Sequence, residues 1–330
     1  MEPDSAIALG GIRLTIHPRM KRKLHTRKVI SRRKAIATTS TLLTGLYMTP
    51  LRAMEPLVRT SQSPLKLSLA AYSMRKYLPN THRNPTAVGV MDIFGFIDYA
   101  STLGIDAVEL TGYFMPSPFT LEIVNEIKRR THLYGLDISG GAIGNNFTHD
   151  PGSVEGRKQM QYTRTWIDHY SLMGAPVIRV FGGRPDNGIS EEKAVKNIIS
   201  NMGLACDYAS EKGVILAIEN HDFMTDIDRL IPIVEAIDSP WFGVNFDSGN
   251  IAPTDDPYRE LARIAPYSLN AQIKVEIPVN GEKEPADLAR IITILRKSNY
   301  TGYITLEYEG KEEPYEAIPK YLAELRELIS

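Results

Sequence analysis

Residues 214–222 read VILAIENHD. Five apolar residues, Val214 to Ile218, run straight into Glu219, Asn220, His221 and Asp222. A short continuous apolar run rich in β-branched residues marks a strand buried on both faces, as in a parallel sheet. An acid, an amide and an imidazole directly after it have no use in a plain core. They suit the carboxyl end of a parallel strand, where α/β proteins place their chemistry. The fold therefore turns on whether other strands end in the same way.

They do. Outward from this stretch the chain alternates between short apolar runs and longer segments of helical period. The runs are Leu65–Ala71, Ile105–Leu110, Leu136–Ile143, Pro176–Phe181, Val214–Glu219, Trp241–Asp247, Asn270–Ile277 and Tyr303–Glu307. Between them the period predicts helices over Asp92–Leu103, Leu121–Tyr134, Gly156–Met173, Glu191–Lys212, Asp226–Ile237, Pro257–Ile264, Pro285–Lys297 and Pro314–Ile329. Gly104, Gly135, Gly174 and Gly213 each follow a helix and suit a left-handed stop. Eight strand–helix pairs predict an α/β fold of the (β/α)8 TIM-barrel type. An open doubly wound sheet would need fewer strands. No GxGxxG and no phosphate loop follows the first strand, so nucleotide binding of those kinds has no support.

The strand ends carry the functional reading. The second run ends Ala107-Val108-Glu109-Leu110, the sixth Val244-Asn245-Phe246-Asp247, the seventh Ala271-Gln272-Ile273-Lys274, and the eighth Leu306-Glu307-Tyr308-Glu309. One acid at a strand end is commonplace. Several converging acids repel one another, and burial would force protons onto some of them. A divalent metal resolves that conflict, and three carboxylates with an amide or imidazole suit Mn²⁺, Mg²⁺ or Co²⁺.

The motifs AIENH (217–221), GVNFDSGN (243–250), AQIKVE (271–276) and GYITLEYEG (302–310) resemble the sugar phosphate isomerase/epimerase family, the xylose isomerase-like barrels. The stretch from NNFTHD (145–150) to GAPVIRVFGG (174–183) is similar to the same family. The resemblance covers residues 65–330 and implies a metal held by residues on strands five to eight. Carried over by motif, the ligands are Glu219, Asp247, Gln272 and Glu307. Gln272 stands where the family has His, and Asn250 stands where many relatives have His after the Asp. Gln offers a hard carbonyl oxygen, so the resemblance implies a shell that prefers Mn²⁺ or Mg²⁺.

Around these ligands the reading adds Glu219, Glu307, His221 and Lys274 as catalytic groups. Glu109, Asn146 and Arg179 are candidate substrate contacts. Arg179, inside an apolar strand, needs an acid partner such as Glu219 or Glu109. The function expected is a metal-dependent sugar, keto-sugar or polyol isomerase or epimerase. The same enolate could serve a lyase or dehydratase, and a barrel that only binds sugar is the non-enzymatic alternative. A many-histidine phosphodiesterase is disfavoured by seven His in the chain.

Charge is uneven. Residues 1–60 hold 12 Lys/Arg and 3 Asp/Glu, leaving 26 and 36 in the remainder. An acidic body argues against nucleic-acid binding. Ser31-Arg32-Arg33-Lys34 precedes a mild apolar run that is too short for a stable membrane span. That leader resembles a twin-arginine export signal, which implies a periplasmic protein, or a cytoplasmic one if the leader does not function. The expected division is a leader over 1–60 and a barrel over 61–330. Cys206 stands alone, which excludes an internal disulfide. Assembly into a homo-oligomer stays open.

Overall fold

The apolar runs become the staves of one closed barrel. In the computed structural model, which describes residues 54–57, 59 and 64–330, the strands are β1 (Lys66–Ala70), β2 (Ala107–Thr111), β3 (Asp137–Ala142), β4 (Val177–Val180), β5 (Ile215–Glu219), β6 (Phe242–Asp247) and β7 (Ser268–Ile273). A hairpin of β8 (Glu276–Val279) and β9 (Glu282–Pro285) precedes the last stave, β10 (Tyr303–Leu306). The barrel runs β1-β10-β7-β6-β5-β4-β3-β2, and every pairing in it is parallel.

Among the described residues eight α-helices cover the outside: α1 (Ile93–Ser101), α2 (Leu121–Leu133), α3 (Val154–Met173), α4 (Glu191–Lys212), α5 (Ile227–Glu235), α6 (Pro257–Ile264), α7 (Leu288–Lys297) and α8 (Pro314–Ile329). Their starts are chemically marked. Asp92, Thr120, Ser153, Ser190, Asp226, Asp256 and Asp287 each accept a backbone N–H with their side chain. Gly104, Gly135, Gly174 and Gly213 all adopt positive φ, as the sequence predicts.

One close approach fixes the β2–β3 seam. A Cβ on Gly141 would lie 2.0 Å from the Tyr170 ring, so only glycine admits that side chain from α3. The Tyr170 hydroxyl then donates to the Leu110 carbonyl at 2.5 Å.

Register sets the height of each functional residue. Glu219 lies opposite Asn245, Asp247 opposite Gln272, and Gln272 opposite Thr305. All belong to the carboxyl halves of their strands, so the acids of three strands reach one mouth.

Two expectations need correction. The seventh strand stops at Ile273, and residues 276–285 form a separate antiparallel hairpin instead of continuing it into α7. Its turn is Asn280-Gly281, with φ of 49° and 89°. Both central residues are left-handed, which is the geometry an Asn-Gly hairpin favours. The boundary at residue 61 is also too late. Met54 donates its N–H to the Glu235 carbonyl, Leu57 to that of Pro266, and the Arg59 guanidinium to that of Ser268. These contacts fasten the segment to the amino-terminal face of the barrel, opposite the mouth. The twin-arginine motif lies outside the described residues. Among the described residues no helix is long and apolar enough to cross a membrane.

Candidate active site

A cavity of about 610 Å³ opens at the carboxyl ends of the strands. Arg179, Glu219, His221, Lys274 and Glu307 line it, and Tyr72, Phe181, Asn250 and Glu309 are among its other wall residues.

Glu219, Asn220 and His221, which end the β5 run, have separate roles. Asn220 is fully buried and serves as a clamp. Its amide donates to the carbonyls of Asp247 (2.8 Å) and Asn250 (2.7 Å), and its oxygen accepts from the Asp247 N–H (2.9 Å). It therefore ties the end of β5 to the end of β6. Glu219 faces the cavity floor. One of its oxygens accepts from the Asn250 amide at 2.9 Å, and the other lies 2.9 Å from Arg179 Nε. His221 stacks on Phe181 with ring centroids 4.6 Å apart. Burial lowers its pKa, which favours the neutral ring.

Arg179 is 3% exposed. Besides its ion pair with Glu219, it donates to the Tyr113 hydroxyl and the Ile143 carbonyl, both at 3.0 Å. Its guanidinium carbon lies 4.0 Å from the Phe181 ring centre. The charge inside an apolar strand thus has an acid, two neutral acceptors and an aromatic face.

Across the floor, Lys274 gathers the other acids. Its Nζ lies 2.7 Å from Glu307 Oε2 and 3.2 Å from Asp247 Oδ2, and it also pairs with Glu309. Burial alone would lower the ammonium pKa, but Asp247, Glu307 and Glu309 outweigh it and hold the group protonated. Burial drives Asp247 well above the ordinary carboxylate range despite that neighbour. Glu219 is raised too, by burial first, with Arg179 opposing.

Two of the expected site residues lie beneath the floor. Glu109 and Gln272 join Asn245 and Asn270 in a closed ring inside the barrel. Gln272 donates to Glu109 (2.6 Å) and accepts from Asn245 (2.6 Å), while Asn270 donates to Glu109 (2.8 Å) and to Asn245 (2.7 Å). Glu109 is therefore not a cavity contact, and both ends of the Gln272 amide are engaged. Asn146 is corrected as well. Its amide donates to the Arg184 carbonyl and its oxygen accepts from Thr148, so it shapes the loop after β3.

The ring makes a pH prediction. Burial pushes Glu109 up to about 7, with the like charge of Glu307 adding and the amides of Asn270 and Gln272 opposing. An acid whose folded pKa is raised contributes stability below its unfolded pKa, near 4.5, and loses it as pH rises through about 7. A Glu109→Gln substitution removes that loss because an amide does not ionise, at a pH-independent cost of one ring contact, since the neighbouring amides are set to donate to two acceptor oxygens. Denaturation of metal-free protein should show the variant gaining on the parent between pH 4.5 and 8, by up to about 3 kcal/mol. Parallel curves across that range would refute a buried ionising Glu109.

The donor chemistry at the mouth fits a divalent cation. Glu219, Asp247 and Glu307 are all buried, Asp247 Oδ2 accepts no hydrogen bond, and an ammonium already stands among the acids as a surrogate cation. As the side chains stand, no group of three or more His, Cys, Asp or Glu among the described residues could hold an ion. The expected four-ligand set is therefore not assembled, because Gln272 is bound into the ring and Lys274 lies between Asp247 and Glu307.

Comparison with known proteins places the fold. A curated Haemophilus influenzae protein, "Putative L-ribulose-5-phosphate 3-epimerase SgbU", is 25% identical over 174 residues, which is 48% of this chain. The match spans 61% of that relative's length. Among solved structures, a D-psicose 3-epimerase crystallised in the presence of D-fructose superposes with a TM-score of 0.63 at 15% identity, covering 80% of this chain and 99% of the other. A xylose isomerase-like TIM-barrel protein from Mycobacterium smegmatis, in complex with magnesium, gives 0.62 at 17%, covering 81% and 98%. At these identities the solved structures establish the fold. The model of the xylose isomerase-like TIM barrels matches residues 97–328, from α1 into α8, and the chain belongs to that family.

Proposed function

We propose that the protein is a divalent-metal-dependent epimerase or isomerase of a ketose or keto-glycoside. The observation that carries this reading is the floor of the cavity. Glu219 and Glu307 line it, Asp247 at the end of β6 is fully buried beside the Lys274 ammonium, and Arg179 and Lys274 balance the three acids.

Glu219 and Glu307 stand on separate strands and reach the floor from different sides, so one takes a proton from the substrate carbon and the other returns it. Arg179 lies beside one Glu219 oxygen and favours the charged carboxylate against burial, and the Asn250 amide donates to the other oxygen. Neutral His221, stacked on Phe181, offers a ring nitrogen to a substrate hydroxyl. Lys274 donates to a substrate oxygen as charge develops there. Phe181 and Tyr72 give the cavity aromatic walls against which the apolar face of a sugar packs. Glu219, Asp247 and Glu307 would hold the metal, with Mn²⁺ or Mg²⁺ favoured and Co²⁺ next, and the metal would make the proton beside the sugar carbonyl more acidic.

The names of the relatives support this choice over a phosphodiesterase. The excess of acidic residues in the body supports a small-molecule substrate over nucleic acid. The basic leader supports export before use.

The test is product analysis. Protein with Mn²⁺ or Mg²⁺ is incubated with ketohexoses, ketopentose phosphates and 3-keto-glycosides, and the sugars are resolved by NMR. A new epimer or aldose that disappears with chelator supports the reading. Loss of water from the sugar would instead identify a dehydratase working through the same proton abstraction. An unchanged panel would remove the enzymatic reading and leave a sugar-binding barrel.

A further inference from the structure

We infer that Lys274 is a tethered counter-cation, whose ammonium occupies the carboxylate cluster until a divalent ion displaces it toward Glu309. The inference rests on the metal-site reading above and adds a role for this chain's own lysine.

The geometry supplies each part. The ammonium touches three acids at once, with Glu307 at 2.7 Å, Asp247 at 3.2 Å and Glu309 in direct contact. Two of these are the acids proposed to hold the metal. A divalent ion needs the same oxygens, so ion and ammonium cannot sit there together. The lysine is also held in a way that lets only its tip move. Its backbone N–H donates to the Ser248 hydroxyl at 2.8 Å, just past the point where β7 ends. Its stem runs against Gly249, where a Cβ would come within 2.6 Å of the Lys274 side chain. The base of the stem, Cβ and Cγ, is therefore held, while Cδ and Cε let the ammonium swing.

Glu309 provides the place to swing to. Its side chain is 28% exposed, against 6% for Glu307 and none for Asp247, and it lines the cavity. Arg75, which also lines the cavity, lies 4.0 Å from it. An ammonium leaving Asp247 and Glu307 thus stays paired with an acid and arrives nearer the substrate.

The exchange has a thermodynamic signature. Metal binding stabilises a folded protein by its affinity for the native state. Where the ion must first evict a lysine, that gain is reduced by the contacts the lysine gives up. Without the lysine, the metal-free protein has buried acids that lack a cation, and the metal supplies all of the missing charge.

The experiment compares parent, Lys274→Met and Glu309→Gln by calorimetric Mn²⁺ titration and by thermal unfolding with and without Mn²⁺. Relative to the parent, Lys274→Met should bind Mn²⁺ at least about tenfold more tightly. It should melt lower without metal and gain a larger rise in Tm with it. Glu309→Gln should bind Mn²⁺ more weakly, because the displaced ammonium loses its anionic partner. A crystal structure of the Mn²⁺-loaded parent should show Lys274 Nζ out of contact with Asp247 and Glu307. A parent that binds Mn²⁺ while Lys274→Met binds it equally or less tightly overturns the inference and leaves the metal reading intact. So does a loaded structure with the ammonium still on Asp247 and Glu307. Failure of all three proteins to bind Mn²⁺ overturns the metal reading, and the inference with it.

Discussion

Glu307→Gln should slow substrate turnover by about 10²- to 10⁴-fold, the usual contribution of a positioned general base or acid. The amide keeps the size and shape of the carboxylate and still offers Lys274 an oxygen, so the barrel should fold as before. It cannot accept the substrate proton. The loss should therefore fall on kcat, with a smaller change in KM, when parent and variant are assayed at saturating metal. Glu219→Gln should behave alike in kcat, with a further cost in stability, because Arg179 would lose its anionic partner. A Glu307→Gln enzyme with parental kcat would remove Glu307 from the chemistry.

Arg179→Met carries the second large effect, and it falls on folding. The guanidinium and the Glu219 carboxylate are both buried and lie 2.9 Å apart. Removing one partner strands the other charge in a low-dielectric interior, which costs about 3–5 kcal/mol. The Tyr113 hydroxyl and the Ile143 carbonyl lose a donor in the same step. Denaturant unfolding should show that loss as a lower midpoint with an unchanged slope. Arg179→Lys should recover only part of it, because an ammonium cannot serve Glu219, Tyr113 and Ile143 from one planar fork. A variant within 1 kcal/mol of the parent would mean that the pair is not formed in solution.

The fold was legible because barrel strands in the sequence are continuous apolar runs and the helices between them carry their own stop and start chemistry. Ser190 and Gly213 bracket α4 at the residues where helical period begins and ends. The mouth was legible at Glu219, His221, Lys274, Arg179 and Glu307, since a polar residue that ends a buried strand has few places to go.

What the sequence hid was depth. Strand period says that Glu109 and Gln272 point inward, but not whether they reach the cavity or stop one layer below it. The stagger between neighbouring strands decides that, and it places both in the amide ring with Asn245 and Asn270. The inward polar residues of β6 and β7, Asn245 and Asn270, were the signal for such a ring. The length of a lysine side chain hid the second feature. The strand period, with Lys274 two residues after Gln272, turns it inward without showing that its tip meets three acids. Asn280-Gly281 was a readable hairpin turn that the apolar run through Ile277 masked. Met54, Leu57 and Arg59 looked like leader because their anchoring groups, on Glu235, Pro266 and Ser268, are backbone carbonyls, which no side-chain pattern reveals.

The most direct test of the central claim, that these carboxylates move a proton beside a sugar carbonyl with a divalent ion's help, is solvent deuterium uptake followed by NMR. With Mn²⁺ or Mg²⁺ present, a ketose or keto-glycoside from the panel should gain deuterium at a carbon next to its carbonyl, and chelation or Glu307→Gln should stop it. Metal-loaded parent protein that binds these sugars yet leaves every such carbon fully protonated would contradict it.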